Sequence, residues 1–195
     1  MKTKGFTLLE LVIVIGILAV LGAVSVLVLN PAQLFAQARD TTRIEDMGVL
    51  RNALALYVST LSSPDLDGPG VKACATMCFV QTGGMSANCA GRHAAARVTD
   101  ATAARVVDGT GWVPVNFGAV PGGPALSVLP IDPTNDTNYF YSYACDNTAK
   151  TYELNANMES TRYASGGADD KETNTKDGGN ADSIYEVGTD AGLDL

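Results

Sequence analysis

The chain has 195 residues, with 21 acidic and 13 basic side chains for a formal charge of −8. That length allows one membrane helix and one modest domain, and nothing in it demands a second. An acidic surface repels nucleic acid and anionic headgroups, which argues against a nucleic-acid partner, and abundant glycine with few charged runs suits a loop-rich extracytoplasmic domain better than a cytosolic enzyme.

Met1-Lys2-Thr3-Lys4-Gly5 is a short basic leader, and Leu11 to Leu29 is an apolar run in which Ser25 is the only plainly polar residue. About 19 helical residues rise roughly 29 Å, the thickness of a bilayer core. A helix apolar on every face is buried in lipid or among similar helices. Glu10 stands at the edge of that run. A carboxylate in a membrane helix costs up to about 2.5–3.5 kcal/mol at the centre and less near an end, and persists where it finds a partner.

The stretch Lys4-Gly5-Phe6-Thr7-Leu8-Leu9-Glu10, with the apolar helix behind it, resembles the N-terminus of type IV prepilins and type II secretion pseudopilins. The resemblance implies cleavage between Gly5 and Phe6 by a prepilin peptidase on the cytoplasmic side, and N-methylation of Phe6. It implies that Glu10 meets the terminal amine of a neighbouring subunit and sets the stagger between helices. The partners it implies are copies of the same chain in a helical filament, an inner-membrane platform and an assembly ATPase. The basic leader agrees with an N-terminus in the cytoplasm, and the resemblance implies a single-pass membrane precursor that becomes an extracellular or cell-surface filament. Loss of Lys2 and Lys4 takes the charge from −8 to −10. The rival reading is an ordinary signal peptide cut after the small-x-small site Ala23-Val24-Ser25. Its apolar region would then be long, with a glutamate near the start.

Four segments follow: leader 1–5, transmembrane or filament-core helix 6–29, amphipathic continuation 30–62, and an extracytoplasmic head 63–195. Pro31 predicts a kink. Met47, Leu50, Leu54, Tyr57 and Leu61 make one apolar stripe, with Arg39, Asp40, Arg43, Glu45, Asp46 and Arg51 mostly off it. Prolines and glycines from Ser62 to Gly70 make a loop. Val71 to Val80 alternates as a strand, with Cys74 and Cys78 on one face. Thr82-Gly83-Gly84 and Asp108-Gly109 read as turns, and residues 90–107 are open between helix and strand. Trp112 to Phe117 reads as an edge strand interrupted by Pro114. Val120 to Pro133 is a fixed-path loop. Tyr139–Cys145 and Thr151–Met158 form an antiparallel hairpin, with Tyr152, Leu154, Ala156 and Met158 on one face. The fold class is α+β, a long N-terminal helix packed on an antiparallel sheet, which is also the pilin architecture. Leu129-Pro130-Ile131-Asp132-Pro133 before a tyrosine-rich hairpin adds a weaker resemblance to pilin-like heads.

Cys74, Cys78, Cys89 and Cys145 allow three pairings, and an extracytoplasmic domain favours disulfides. Along one strand Cys74 and Cys78 lie about 13 Å apart, too far to join, so Cys89 is expected to pair with one of them. The competing set is zinc on Cys74, Cys78, Cys89 and His93. His93 is expected to be solvated, since no nucleophile motif accompanies it, and there is no phosphate loop or dinucleotide fingerprint. No cofactor is required. The acids Asp169, Asp170, Asp177 and Asp182 in a glycine-rich stretch are candidate calcium ligands, and major pseudopilins carry calcium in their C-terminal loops. The chain therefore reads as a structural subunit of a type IV pilus-like filament, not an enzyme. A type II secretion pseudopilin is the near alternative. A secreted or singly anchored binding domain or enzyme is the distant one.

Overall fold

The computed structural model describes residues 5–70, 72–81, 87–94 and 97–195. The first 60 residues hold two helices, α1 (Leu8–Leu29) and α2 (Pro31–Thr60). The pyrrolidine ring of Pro31 disfavours the helical conformation at the preceding residue, and Asn30 leaves helical space altogether at φ 40°, ψ 76°. Asparagine tolerates that left-handed position better than most residues. The expected kink is therefore a full break, with Pro31 opening α2 at a position where its missing N–H costs nothing.

The head is a five-stranded sheet in the order β2-β1-β3-β4-β5. Its strands are β1 (Met77–Val80), β2 (Val98–Ala101), β3 (Ser142–Asp146), β4 (Thr151–Ala156) and β5 (Tyr185–Gly188). The β3–β4 hairpin forms in register, with Tyr143 opposite Leu154 and Cys145 opposite Tyr152. The sheet is mixed, because β2 runs parallel to β1 while the other pairs are antiparallel. Part of the open 90–107 region thus becomes a parallel edge strand.

Alternation along each strand gives the sheet two different faces. Phe79, Tyr141, Tyr143, Cys145, Tyr152 and Leu154 meet Met47, Leu50, Leu54 and Tyr57 of α2 in the main core. Full burial of side chains of this size stabilises by about 1.5–3 kcal/mol each. Cys78, Val80, Cys89, Phe140 and Ala144 form a smaller cluster on the opposite face.

Two expected strands are shorter or absent. Residues 73–77 turn, with the N–H groups of Thr76 and Met77 both donating to Ala73 O, so β1 begins only at Met77. That turn removes Cys74 from the strand. Between Trp112 and Phe117 a single bridge, Asp108 to Asn116, replaces the edge strand. Pro114 has no N–H to give a ladder, and the segment instead sends Trp112, Val113, Val115 and Phe117 into the core. Trp112 Nε1 donates to Pro130 O at 3.0 Å, which pins the 120–133 loop. Gly68, at φ 69°, passes so close to Pro114 O that any side chain would collide with it. The Thr82-Gly83-Gly84 turn lies outside the described residues.

Candidate functional site

Gly5 and Phe6 precede α1 as exposed, irregular chain, with Phe6 79% exposed. The helix starts because Thr7 caps it: Thr7 Oγ1 accepts the Glu10 N–H at 3.2 Å. Thr7-Leu8-Leu9-Glu10 has the spacing of a capping box, worth about 1 kcal/mol. That signal stands in the sequence beside the Gly5–Glu10 motif, and it assigns Thr7 a role that sequence reasoning missed. Glu10 also sits in the first turn, where a negative charge complements the helix dipole. Even with Glu10 inside it, Leu8–Val26 is apolar enough to cross a bilayer, and none of it is buried against the rest of the chain. Ser25 hides its hydroxyl by donating to Leu21 O at 2.8 Å, so α1 presents an apolar surface on every side.

The charged residues of α2 divide in a way the stripe reading did not anticipate. Asp40 and Arg43 are fully buried, not solvated. They continue the spacing of Met47, Leu50, Leu54 and Tyr57 backward by one and two steps, onto the same face. Arg43 Nε and Nη2 grip both oxygens of Asp132 at 2.7 and 2.8 Å, and Nη1 reaches Asp40 at 2.7 Å. Asp40 in turn accepts the backbone N–H groups of Glu159 and Ser160, each at 2.8 Å. Asp132 accepts those of Thr134 and Asn135. Arg39 pairs with Glu159 beside them, and that guanidinium holds the Glu159 carboxyl below its usual range. Burial works against the Arg43 cation, but the bonds from Asp132 and Asp40 outweigh it and leave its pKa raised. The cluster joins α2 to the Pro130–Pro133 loop and to the end of the hairpin.

The cysteines pair as Cys74–Cys145 and Cys78–Cys89. The first links the turn before β1 to β3. The second closes the segment on the far face of the sheet. Both pairs consume the thiols that a zinc set would need.

His93 is buried rather than solvated. Its Nε2 lies 2.9 Å from Ser142 Oγ and its Nδ1 3.3 Å from Glu153 Oε1. Burial pushes the imidazole pKa down despite Glu153, and Arg97 and Arg92 push the same way. Ser142 itself has no exposure. The trio ties β3, β4 and the 87–94 segment together beneath the sheet surface, with no opening onto the serine. Nothing local in the sequence reports this, because His93 and its partners are some 50 to 60 positions apart.

The four candidate calcium ligands are used separately. Asp169 pairs with Arg162. Asp170 accepts from the Thr173 hydroxyl and from the N–H groups of Gly166, Glu172 and Thr173, which hold its carboxyl well below the usual range. Asp177 accepts from Gly179 and Glu186, and Asp182 from Asn174. Among the described residues, no three histidine, cysteine or acidic side chains converge as a metal-binding group. Glu186, buried at the heart of this loop, accepts the Ala181 N–H at 2.9 Å through Oε2, while Oε1 has no partner. Burial pushes its pKa up to about 7.

No curated protein and no solved structure matches the chain. The model of the prokaryotic N-terminal methylation motif matches residues 1–26. Together with the apolar helix near the N-terminus, that match fits a single-pass, membrane-anchored precursor. Through Gly5, Phe6, Glu10 and the exposed apolar surface of α1, the chain carries the prepilin-type leader of type IV pilins and pseudopilins.

Proposed function

We propose that this protein is a structural subunit of a type IV pilus-like filament. The observation that carries the reading is the conjunction of the methylation motif with α1, which is apolar on all sides and makes no packing contact with its own head. A prepilin peptidase cuts between Gly5 and Phe6 and the new terminus is methylated. The precursor waits in the cytoplasmic membrane until an assembly platform and its ATPase draw α1 out of the lipid. Copies of α1 then bury one another, and the head domains lie outside. Glu10 sets the register by pairing with the terminal amine of a neighbour, a charge pair made favourable by low dielectric. No step of this function requires catalysis by the chain itself.

Mass spectrometry of the mature N-terminus from membranes tests the processing. N-methylated Phe6 is expected, and a start at Val26 would refute the reading in favour of an ordinary signal peptide. Glu10→Ala tests the register: it is expected to insert and be processed, yet fail to enter filaments. Normal assembly of that variant would remove the role given to Glu10. Surface fibres lost on deletion of the gene distinguish a pilus from a secretion pseudopilus.

A further inference from the structure

At the end of the sheet where β3 begins and β4 finishes, an open cleft of about 560 Å³ lies between the Ala90–Arg92 turn, the 137–140 segment that leads into β3, and the chain just after β4. That volume is in the range of small-molecule sites. The walls are held in place from behind. Arg92 donates to the carbonyls of Asn138 and Phe140, and its guanidinium stacks on the Phe140 ring, 3.4 Å from the centroid. Across the cleft Asn157 Nδ2 donates to Ser183 O at 3.1 Å. The third wall is a left-handed turn, Asn88 to Ala90, with φ of 48°, 51° and 59°. Such a conformation costs about 1–2 kcal/mol per residue. It persists here under the Cys78–Cys89 disulfide. A wall already ordered loses little freedom when a ligand arrives.

The lining defines the ligand. Thr137, Asn138 and Ser183 are exposed at the rim, and their hydroxyl and amide groups both donate and accept. The half-buried Tyr139 ring, one face of which is backed by the Arg43 guanidinium 4.9 Å from its centroid, supplies apolar surface with Met158 and Ile184. Among the described residues no carboxylate side chain lines the cleft, and the one cation that does, Arg92, is committed to carbonyls. A cationic ligand would face Arg92, and an anionic one would find that guanidinium already bonded to two carbonyls. Two-way hydrogen bonding at the rim, an apolar surface within and no uncommitted charge to match are the requirements of a sugar.

We propose that this cleft binds an uncharged saccharide. The test is saturation-transfer NMR and calorimetry on the full processed chain, in micelles whose detergent has no sugar headgroup. The probes are maltotriose and triacetylchitotriose, with trigalacturonate as the charged control. Saturable binding of at least one neutral trisaccharide is expected. Ser183→Trp, which fills the cleft from an exposed position, abolishes it. Asn138→Ala, which keeps the backbone carbonyl bonded by Arg92, weakens it about fivefold, the value of one hydrogen bond. Both variants are compared with the parent for thermal midpoint and intact disulfides. No saturation by either neutral probe up to about 10 mM, binding unchanged by Ser183→Trp, or equal binding of trigalacturonate would overturn the proposal.

Discussion

Replacing Arg43 with methionine tests what holds α2 to the head. The substitution keeps an unbranched apolar stem and deletes the guanidinium, which makes three charge-assisted bonds of 2.7–2.8 Å to Asp132 and Asp40. Both carboxylates have no side-chain exposure and would be left without a buried counter-ion. Breaking a buried pair in this way costs about 3–5 kcal/mol. In a chain of this size that lowers the thermal midpoint by roughly 6–20 °C. The assay is a calorimetric or circular-dichroism melt of the full chain in micelles near neutral pH, repeated in mild acid. In the variant, protonation would remove the uncompensated buried charge. Stability is then lost as pH rises, and the deficit shrinks as pH falls. Adding Asp40→Asn and Asp132→Asn recovers part of the loss at neutral pH. A midpoint within about 3 °C of the parent, or a deficit that ignores pH, would refute the view that Arg43 compensates buried charge.

Two further predictions concern the head. Removing Cys74–Cys145, whose partners are 71 positions apart, is expected to cost about 4 kcal/mol, and removing Cys78–Cys89, 11 apart, about 3 kcal/mol. Paired serine substitutions followed by urea unfolding measure both, and the reverse order would count against the loop-entropy argument. Because burial raises the Glu186 pKa to about 7, its contribution to stability is complete below the unfolded value near 4.5 and is lost as pH climbs toward 7. Glu186→Gln should therefore raise the melting midpoint at mildly alkaline pH and flatten the pH profile between those limits. An unchanged profile would show that the carboxylate is ionised and solvated.

How far the sequence reveals this molecule depends on the range of the interaction. The α2 stripe and the hairpin face of Tyr152, Leu154 and Ala156 were legible, because burial on one face writes a period into neighbouring residues. The methylation motif was legible for a different reason, since it is a local string within residues 1–26. Asp40 and Arg43 were misplaced on the solvent side, although the three-four spacing runs straight through them. Their burial depends on Asp132, 89 positions beyond Arg43 in an irregular loop, and only that partner makes an apolar-stripe position acceptable to an ion. His93 fails for the same reason, its partners lying on β3 and β4. The Trp112–Phe117 segment looked like a strand because its residues are β-prone. Its backbone takes another path once Pro114 withholds a donor and the indole finds Pro130 O.

The attachments of α2 have a mechanical consequence. Going along the helix, Gln33 accepts from Thr161, Arg39 and Arg43 hold Glu159 and Asp132, Asp46 accepts from the Tyr141 hydroxyl, and Arg51 O accepts from that of Tyr152. These tethers are spaced along the axis rather than gathered at one end. A pull along α2 therefore loads them together, in shear, and none can be peeled away before the next is stressed. The break at Asn30 has no such bracing among the described residues: the bonds from Gln33 and Leu34 N–H to Asn30 O cap α2 and do not reach back to α1. Under tension the chain should yield first at that joint, letting α1 swing while the head stays rigidly riveted to its helix.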